Sequence, residues 1–235
     1  MKNYALICAY NEEKTVASVI RKTLKYVDKI IFVNDGSTDN TLKVVQNNFG
    51  RNKNVIIITY PDNMGKGYAL TTGFKRFLKE NGDILITLDA DGQHDPTQIP
   101  MVKLMVEKGV CDIVIGSRYA KIKDYPMMRV IFNIISTLIM LITSGTFYSD
   151  VASGFRCYSD KAVKKIAQKL TLYNFGIELE ILKLSTEENL KVGIVPVTCS
   201  YDAGTKPNFS RIARGYISFI FKYWKDIGRR ILRIK

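Results

Sequence analysis

The side chains best placed for chemistry lie in LITLDADGQHDP, residues 85–96. An apolar run ends at Asp89, and Asp91 and Asp95 follow closely. In an extended backbone, residues two apart point the same way, so Asp89 and Asp91 present their carboxylates to one point. Two such charges repel, and a divalent cation removes the conflict. Mg²⁺ commonly takes one or two carboxylates and fills its other positions with water and substrate phosphate. Gln93 can add an oxygen or bond a metal-bound water. Asp95 before Pro96 reads separately, as the cap of the next helix. An EF-hand loop starting at Asp89 fails, because His94 stands at its sixth position and Pro100 at its twelfth.

The elements that position this cluster follow from hydrophobic patterning. Apolar runs at 4–10, 30–34, 55–60, 84–89 and 113–117 read as strands buried on both faces. Helical patterns at 13–25, 38–48, 68–79 and 97–108 alternate with them. That order predicts an α/β fold with a doubly wound, mostly parallel sheet flanked by helices. Ligands of such sheets lie beyond the carboxyl ends of the strands. The polar clusters AYNEE (9–13), NDGSTD (34–39) and DADGQHD (89–95) should therefore meet at one edge. After Ser117 the alternation stops. Met127–Ser144 is very apolar but interrupted by Asn133, Ser136 and Thr137. It is shorter than the roughly 20 residues of a bilayer span and reads as a core or interfacial helix. A helix over 175–184 and a strand over 192–197 follow.

Lys+Arg total 35 against 22 Asp+Glu, a net charge of +13, which points to an anionic partner or surface. The four cysteines form no CxxC pair and read as buried thiols. The N-terminus has no signal-peptide layout, so the protein is expected to face the cytosol. His94 is the only histidine, which excludes multi-histidine metal sites, and no G-x-S-x-G elbow is present. Residues 210–235 place Ile212, Tyr216, Phe219, Ile220, Tyr223, Trp224, Ile227, Ile231 and Ile234 on one helical face. Arg211, Arg214, Lys222, Lys225, Arg229 and Arg233 take the other. This basic amphipathic helix is expected to lie on an anionic membrane surface. Its apolar spacing suits lipid better than nucleic acid, which is not expected as a partner.

AYNEE, VNDGSTDNT, NMGKGYAL, LDADGQHDP, GSRY and SGFRCYS occur in that order. The set resembles family 2 glycosyltransferases of the GT-A fold, especially dolichyl-phosphate mannosyltransferases and polyprenyl-phosphate glucosyltransferases. The resemblance covers roughly 3–209. A haloacid-dehalogenase-type phosphatase also carries DxDG, but near its N-terminus and usually followed by Thr or Val; here Gln93 follows.

The resemblance implies roles at matching positions. Ala9, Tyr10, Glu12, Val33, Asp35, Asp89 and Ala90 would line the nucleotide-sugar pocket, with Lys206 over the diphosphate. Asp89, Asp91 and Gln93 would hold Mg²⁺ or Mn²⁺. Arg118 and Arg129 would act with Asp91 in catalysis and, with Arg156, contact the acceptor phosphate. The implied reaction moves mannose or glucose from GDP-mannose or UDP-glucose to dolichyl or polyprenyl phosphate, with inversion. A phosphate nucleophile is already ionised, so cations and a metal suffice. A hydroxyl acceptor would instead need a base, for which Glu178 or Asp150 is available; a catalytically silent binder of nucleotide or anionic lipid is the third reading. Cys8, Asn34 and Asp202 depart from the family's usual residues, and Asp202 bears on diphosphate clamping. Gly65-Lys66-Gly67 reads as a turn into a helix, with donor binding by Lys66 as the alternative. The expected organisation is a catalytic domain over 1–209 and a membrane-interface helix over 210–235, making a peripheral protein on the cytoplasmic face.

Overall fold

The β-branched runs of the first half become strands where the alternation puts them. The computed structural model describes residues 1–118, 127–200 and 209–233. Strands β1 (Asn3–Ala9), β2 (Lys29–Asn34), β3 (Val55–Thr59), β4 (Ile84–Asp89) and β5 (Ile113–Ser117) alternate with helices α1 (Val16–Thr23), α2 (Thr41–Phe49), α3 (Lys66–Lys79) and α4 (Ile99–Glu107). Asp95 caps a 3-10 turn at Pro96–Gln98 by accepting from the Thr97 backbone N–H, as its place before proline predicts.

Past Ser117 the chain forms α5 (Met127–Ser144), β6 (Arg156–Ser159), α6 (Asp160–Ile166), α7 (Ile177–Glu187), β7 (Val192–Pro196), α8 (Phe209–Lys222) and α9 (Trp224–Arg233). The sheet order is β3-β2-β1-β4-β6-β5-β7. All pairings are parallel except those of β6, which runs antiparallel between β4 and β5. Sequence reading missed β6, whose four residues are too few to show a period and begin with a charge. Its direction matters: the chain entering β6 arrives at the carboxyl ends of β4 and β5, which brings 149–155 to the same edge as Asp89. The winding reverses between β1 and β4, where Cys8 is paired with Asp89, so a crevice opens there.

Apolar side chains cover both sheet faces. Ile20, Val45, Phe49, Val102 and Val106 pack on one. Phe74, Phe77, Val163, Ile177 and Ile181 pack on the other. A third cluster joins Met140 of α5, Leu179 and Leu182 of α7, and Tyr216, Phe219 and Tyr223 at the C-terminal helices.

The tail departs from expectation. It breaks at Tyr223 into α8 and α9. The face with Tyr216 and Phe219 turns inward, leaving them 4% and 0% exposed, instead of outward to lipid. Gly176 and Gly215 permit this seat: a Cβ on either would strike the other's backbone. Glu180, fully buried on α7, binds Lys222, Tyr223 and the backbone N–H groups of Thr171 and Leu172. The apolar face was legible, and the structure buries it against α7.

Helix α5 is inverted. Its polar residues Asn133, Ser136, Thr143 and Ser144 are buried. Asn133 Nδ2 donates to the Ser149 carbonyl at 2.8 Å and Thr137 Oγ1 to the Tyr148 carbonyl at 3.0 Å. Met127, Ile131, Ile134, Ile135, Leu138, Leu141 and Ile142 face outward, with Ile134 53% and Leu138 51% exposed. By length and composition this helix could cross a membrane, but a third of it is buried against the protein.

Candidate active site

A cavity of about 820 Å³ opens at the carboxyl ends of β1, β2 and β4, and α5 and α8 supply its opposite wall. Strand ends contribute Tyr10, Glu12, Asp35, Asp89, Asp91 and Gln93, and the helices contribute Arg129, Arg211 and Tyr216.

The loops after β1 and β2 are stitched together. Asn11, held at φ +59°, donates its backbone N–H to Ser37 Oγ (3.0 Å) and accepts the Thr38 N–H on Oδ1 (2.8 Å). The Glu12 N–H donates to Thr41 Oγ1 at 2.7 Å. Asp35 accepts from the backbone nitrogens of Met64 (2.8 Å) and Gly65 (3.0 Å) and from Asn63 Nδ2 (3.0 Å). Burial pushes its carboxyl up against the pull of those donors. Asp35 thus fixes the turn into α3 while lining the cavity. Gly65 takes φ +97° there, a backbone open to glycine. The Arg211 guanidinium lies 5.5 Å over the Tyr10 ring.

At the acidic corner, Asp89 Oδ1 meets Lys66 Nζ at 2.9 Å, and the same ammonium lies 2.8 Å from Glu178 Oε1. Burial opposes the Lys66 charge, but the two carboxylates outweigh it and raise its pKa. Burial also opposes the Asp89 charge, and Lys66 outweighs it, holding that carboxyl low. At Asp91, burial and the Asp89 charge outweigh the pull of the Gln93 N–H and Lys66 and push the carboxyl up to about 6. Its Oδ1 accepts the Gln93 N–H at 2.9 Å. Gly154 packs so close that a Cβ would collide with the Asp89 carboxylate.

His94 braces this corner. Burial lowers its pKa to about 4, while burial raises the Cys199 thiol to about 12. Cys199 Sγ lies 3.2 Å from Nδ1, and Nε2 faces Asp89 Oδ2 at 3.8 Å. The Ser200 N–H donates to the Gln93 carbonyl at 3.0 Å, tying the acidic loop to the chain beyond β7.

Arg118 forks onto Asp150 through Nε (2.9 Å) and Nη2 (2.8 Å), and its backbone N–H joins Oδ2 at 2.9 Å. Both oxygens of fully buried Asp150 are thereby committed to Arg118, which removes Asp150 as a base. Two expectations are corrected. Arg156 is 1% exposed and donates to the carbonyls of Ser153, Val151 and Glu178, so it braces the loop before β6 and does not reach an acceptor phosphate. Val33 is 0% exposed within β2 and packs in the core beneath the site. Lys206 and Asp202 lie outside the described residues. Lys66 and Arg211 line the cavity, yet sequence reading favoured a turn for the first and a lipid-facing helix for the second. The glycine before Lys66 was the available signal.

Among the described residues, no group of three or more His, Cys, Asp or Glu side chains encloses an ion. The corner instead offers two carboxylates and an amide, a set that leaves positions for ligand phosphate and water. The raised Asp91 beside the lowered Asp89 is the conflict that a shared divalent cation relieves. These residues fit Mg²⁺ or Mn²⁺.

Residues 4–167 match the family model described as Glycosyl transferase family 2. The chain belongs to glycosyltransferase family 2. This family 2 chain is 31% identical over 232 residues to the UDP-N-acetylglucosamine–dolichyl-phosphate N-acetylglucosaminyltransferase of Methanococcus voltae, covering 92% of each. It is 30% identical to a dolichyl-phosphate beta-glucosyltransferase of Trichomonas vaginalis, covering 87% of this chain and 68% of that one. Glucosyl-3-phosphoglycerate synthase from Mycobacterium tuberculosis, solved with Mn²⁺, UDP-glucose and phosphoglyceric acid, superposes with TM-score 0.73 at 18% identity, over 97% of this chain and 80% of that one. The fold is GT-A.

Proposed function

We propose that this family 2 glycosyltransferase moves one sugar from a nucleotide sugar to the phosphate of dolichyl or another polyprenyl phosphate, with inversion, at a membrane surface. One observation carries the choice of acceptor: the two carboxylates a hydroxyl acceptor would need as base are tied to cations, Asp150 to Arg118 and Glu178 to Lys66. A phosphate oxygen is ionised at neutral pH and needs no base. The acceptors named for the relatives from Methanococcus voltae and Trichomonas vaginalis support the same reading.

In this mechanism Tyr10, Glu12, Asp35 and Arg211 hold the nucleotide beyond β1 and β2. Arg118 and Arg129 draw the acceptor phosphate toward the anomeric carbon by charge-assisted hydrogen bonds. The phosphate oxygen forms the new bond to that carbon as the bond to the diphosphate breaks on the opposite side. Asp89, Asp91 and Gln93 would hold a Mg²⁺ or Mn²⁺ ion, which would supply positive charge to the departing diphosphate. The relative from Methanococcus voltae widens the donor class from mannose and glucose to N-acetylglucosamine. The membrane contact is assigned to the outward face of α5, with Phe221 (78% exposed) and Trp224 (66% exposed) beside it in the chain's C-terminal helices.

The test uses purified protein with radiolabelled GDP-mannose, UDP-glucose and UDP-N-acetylglucosamine, each with and without polyprenyl phosphate in anionic liposomes. Label should enter the lipid extract only when polyprenyl phosphate is present, and EDTA should stop it reversibly. Transfer to a sugar hydroxyl without polyprenyl phosphate would overturn the reading.

A further inference from the structure

Glu178 stands in the cavity wall with one of its two oxygens unmatched. The residue is 5% exposed and lines the cavity. Its Oε1 is held by Lys66 at 2.8 Å, while Oε2 is buried and has no hydrogen-bond partner among the described residues. An unmatched buried carboxylate oxygen costs free energy unless something donates to it. The donor must be neutral or cationic, because a phosphate there would be repelled. Lys66 Nζ has three N–H groups, and its ion pairs with Asp89 and Glu178 engage two. An acceptor and a donor therefore stand side by side, one ammonium away from Asp89. A hydroxyl, which both donates and accepts, matches that pair. The Phe175 ring, 5.7 Å from Lys66 Nζ, lines the same cavity and offers an apolar surface to the C–H face of a sugar.

We infer that Glu178 Oε2 and Lys66 Nζ together form the subsite that reads one ring hydroxyl of the donor sugar. The inference rests on the proposed nucleotide-sugar donor and makes Glu178 a specificity-determining residue where a hydroxyl-acceptor reading would make it a base. The sugar is bonded to the diphosphate, so it lies next to the acidic corner, where Lys66 touches Asp89.

The test measures binding in the absence of any acceptor. UDP-N-acetylglucosamine, UDP-glucose and GDP-mannose, and their nucleoside diphosphates, are titrated calorimetrically with Mg²⁺ into wild type and Glu178→Gln. In the variant, Lys66 draws the amide oxygen and leaves the NH₂ facing the sugar. The best-bound nucleotide sugar should lose about tenfold or more in affinity, as expected for a lost charged hydrogen bond. Its nucleoside diphosphate should stay within about twofold of wild type. One monodeoxy analogue of that donor should lose a similar factor on wild type and little further on the variant. If the variant does not fold, judged by circular dichroism, Glu178→Asp and the deoxy series on wild type decide the matter. Equal losses for sugar and diphosphate, no loss for either, or a deoxy series flat on wild type overturns the inference. Because no polyprenyl phosphate is present, failure of lipid transfer leaves this result standing, and intact transfer cannot rescue it.

Discussion

On one side of the cavity the wall is strand ends: Tyr10 and Glu12 after β1, Asp35 after β2, and Asp89 and Asp91 at β4. Their strands are covered on both faces, and short hydrogen bonds knit the loops together. On the other side the wall is α5 and α8, which the third cluster packs against α7. There α8 turns its aromatic face inward, while α5 buries its polar face and turns isoleucine and leucine outward. The strand wall is acidic and fixed by the sheet. The helix wall brings arginines to the cavity and carries apolar surface behind them. In the proposed function the leaving diphosphate is held by the strand wall and membrane contact falls to the outer face of the helix wall, so each can be damaged without the other.

The largest separation is expected from Asp91→Ala. Losing a metal ligand that stabilises the leaving diphosphate is expected to cost about 4 kcal/mol, roughly a thousandfold in transfer rate. Co-sedimentation with anionic liposomes should not change, and a parallel loss of sedimentation would break the division between the walls. On the other side, Ile134→Asp combined with Leu138→Asp should reduce liposome binding by about thirty- to a hundredfold. Each half-exposed side chain contributes about 1 kcal/mol of burial, and the new charges meet an anionic surface. Nucleotide affinity, read by calorimetry, should hold within about twofold.

The strand wall should also titrate alone. With Asp91 pushed up to about 6, Mg²⁺ affinity should be flat above that pH and fall about tenfold per unit below it, since the ligand must be deprotonated. The same shift bears on folding with the opposite sign. A raised acid favours the folded state while protonated, so without metal this contribution is present near pH 4 and lost as pH rises toward 6. Buried His94, lowered to about 4, works the other way, its contribution being lost as pH falls from about 6.5 toward 4. Asp91→Asn removes the first effect, so its melting temperature should rise more steeply with pH over this range than that of wild type. The smallest effect is expected from Trp224→Ala: a few-fold weaker liposome binding, about 1 kcal/mol, with transfer to short-chain soluble polyprenyl phosphate unchanged.

Much of the strand wall was legible in the sequence. Alternation located β1 to β5 and set Asp89 at the end of β4; Asp91 lies in the turn beyond it, where the Asp89 charge acts on it. Strand β6 was not, because four residues have no period. In the helix wall, periodicity identified the two faces of α8 but not which was inside; the Gly176–Gly215 contact decides that, and it joins residues far apart in the chain. For α5, the interruptions at Asn133, Ser136 and Thr137 looked like flaws in an apolar helix, whereas they are its anchored side. The Lys66–Glu178 pair lay hidden for the same reason: its members come from α3 and α7, and only the packing of both on one sheet face unites them.

Arg129 stands in the first turns of the helix whose outward stripe runs through Ile134 and Leu138. Nine residues separate Arg129 from Leu138, about 13 Å along the axis. With that stripe on a bilayer, the arginine proposed to bind phosphate would stand within a headgroup layer's depth of the acceptor pool. The second substrate then arrives by lateral diffusion in a plane instead of from bulk water. Its effective concentration is the mole fraction of polyprenyl phosphate in the leaflet, so diluting the acceptor with inert lipid slows turnover at constant total acceptor, whereas adding aqueous volume does not.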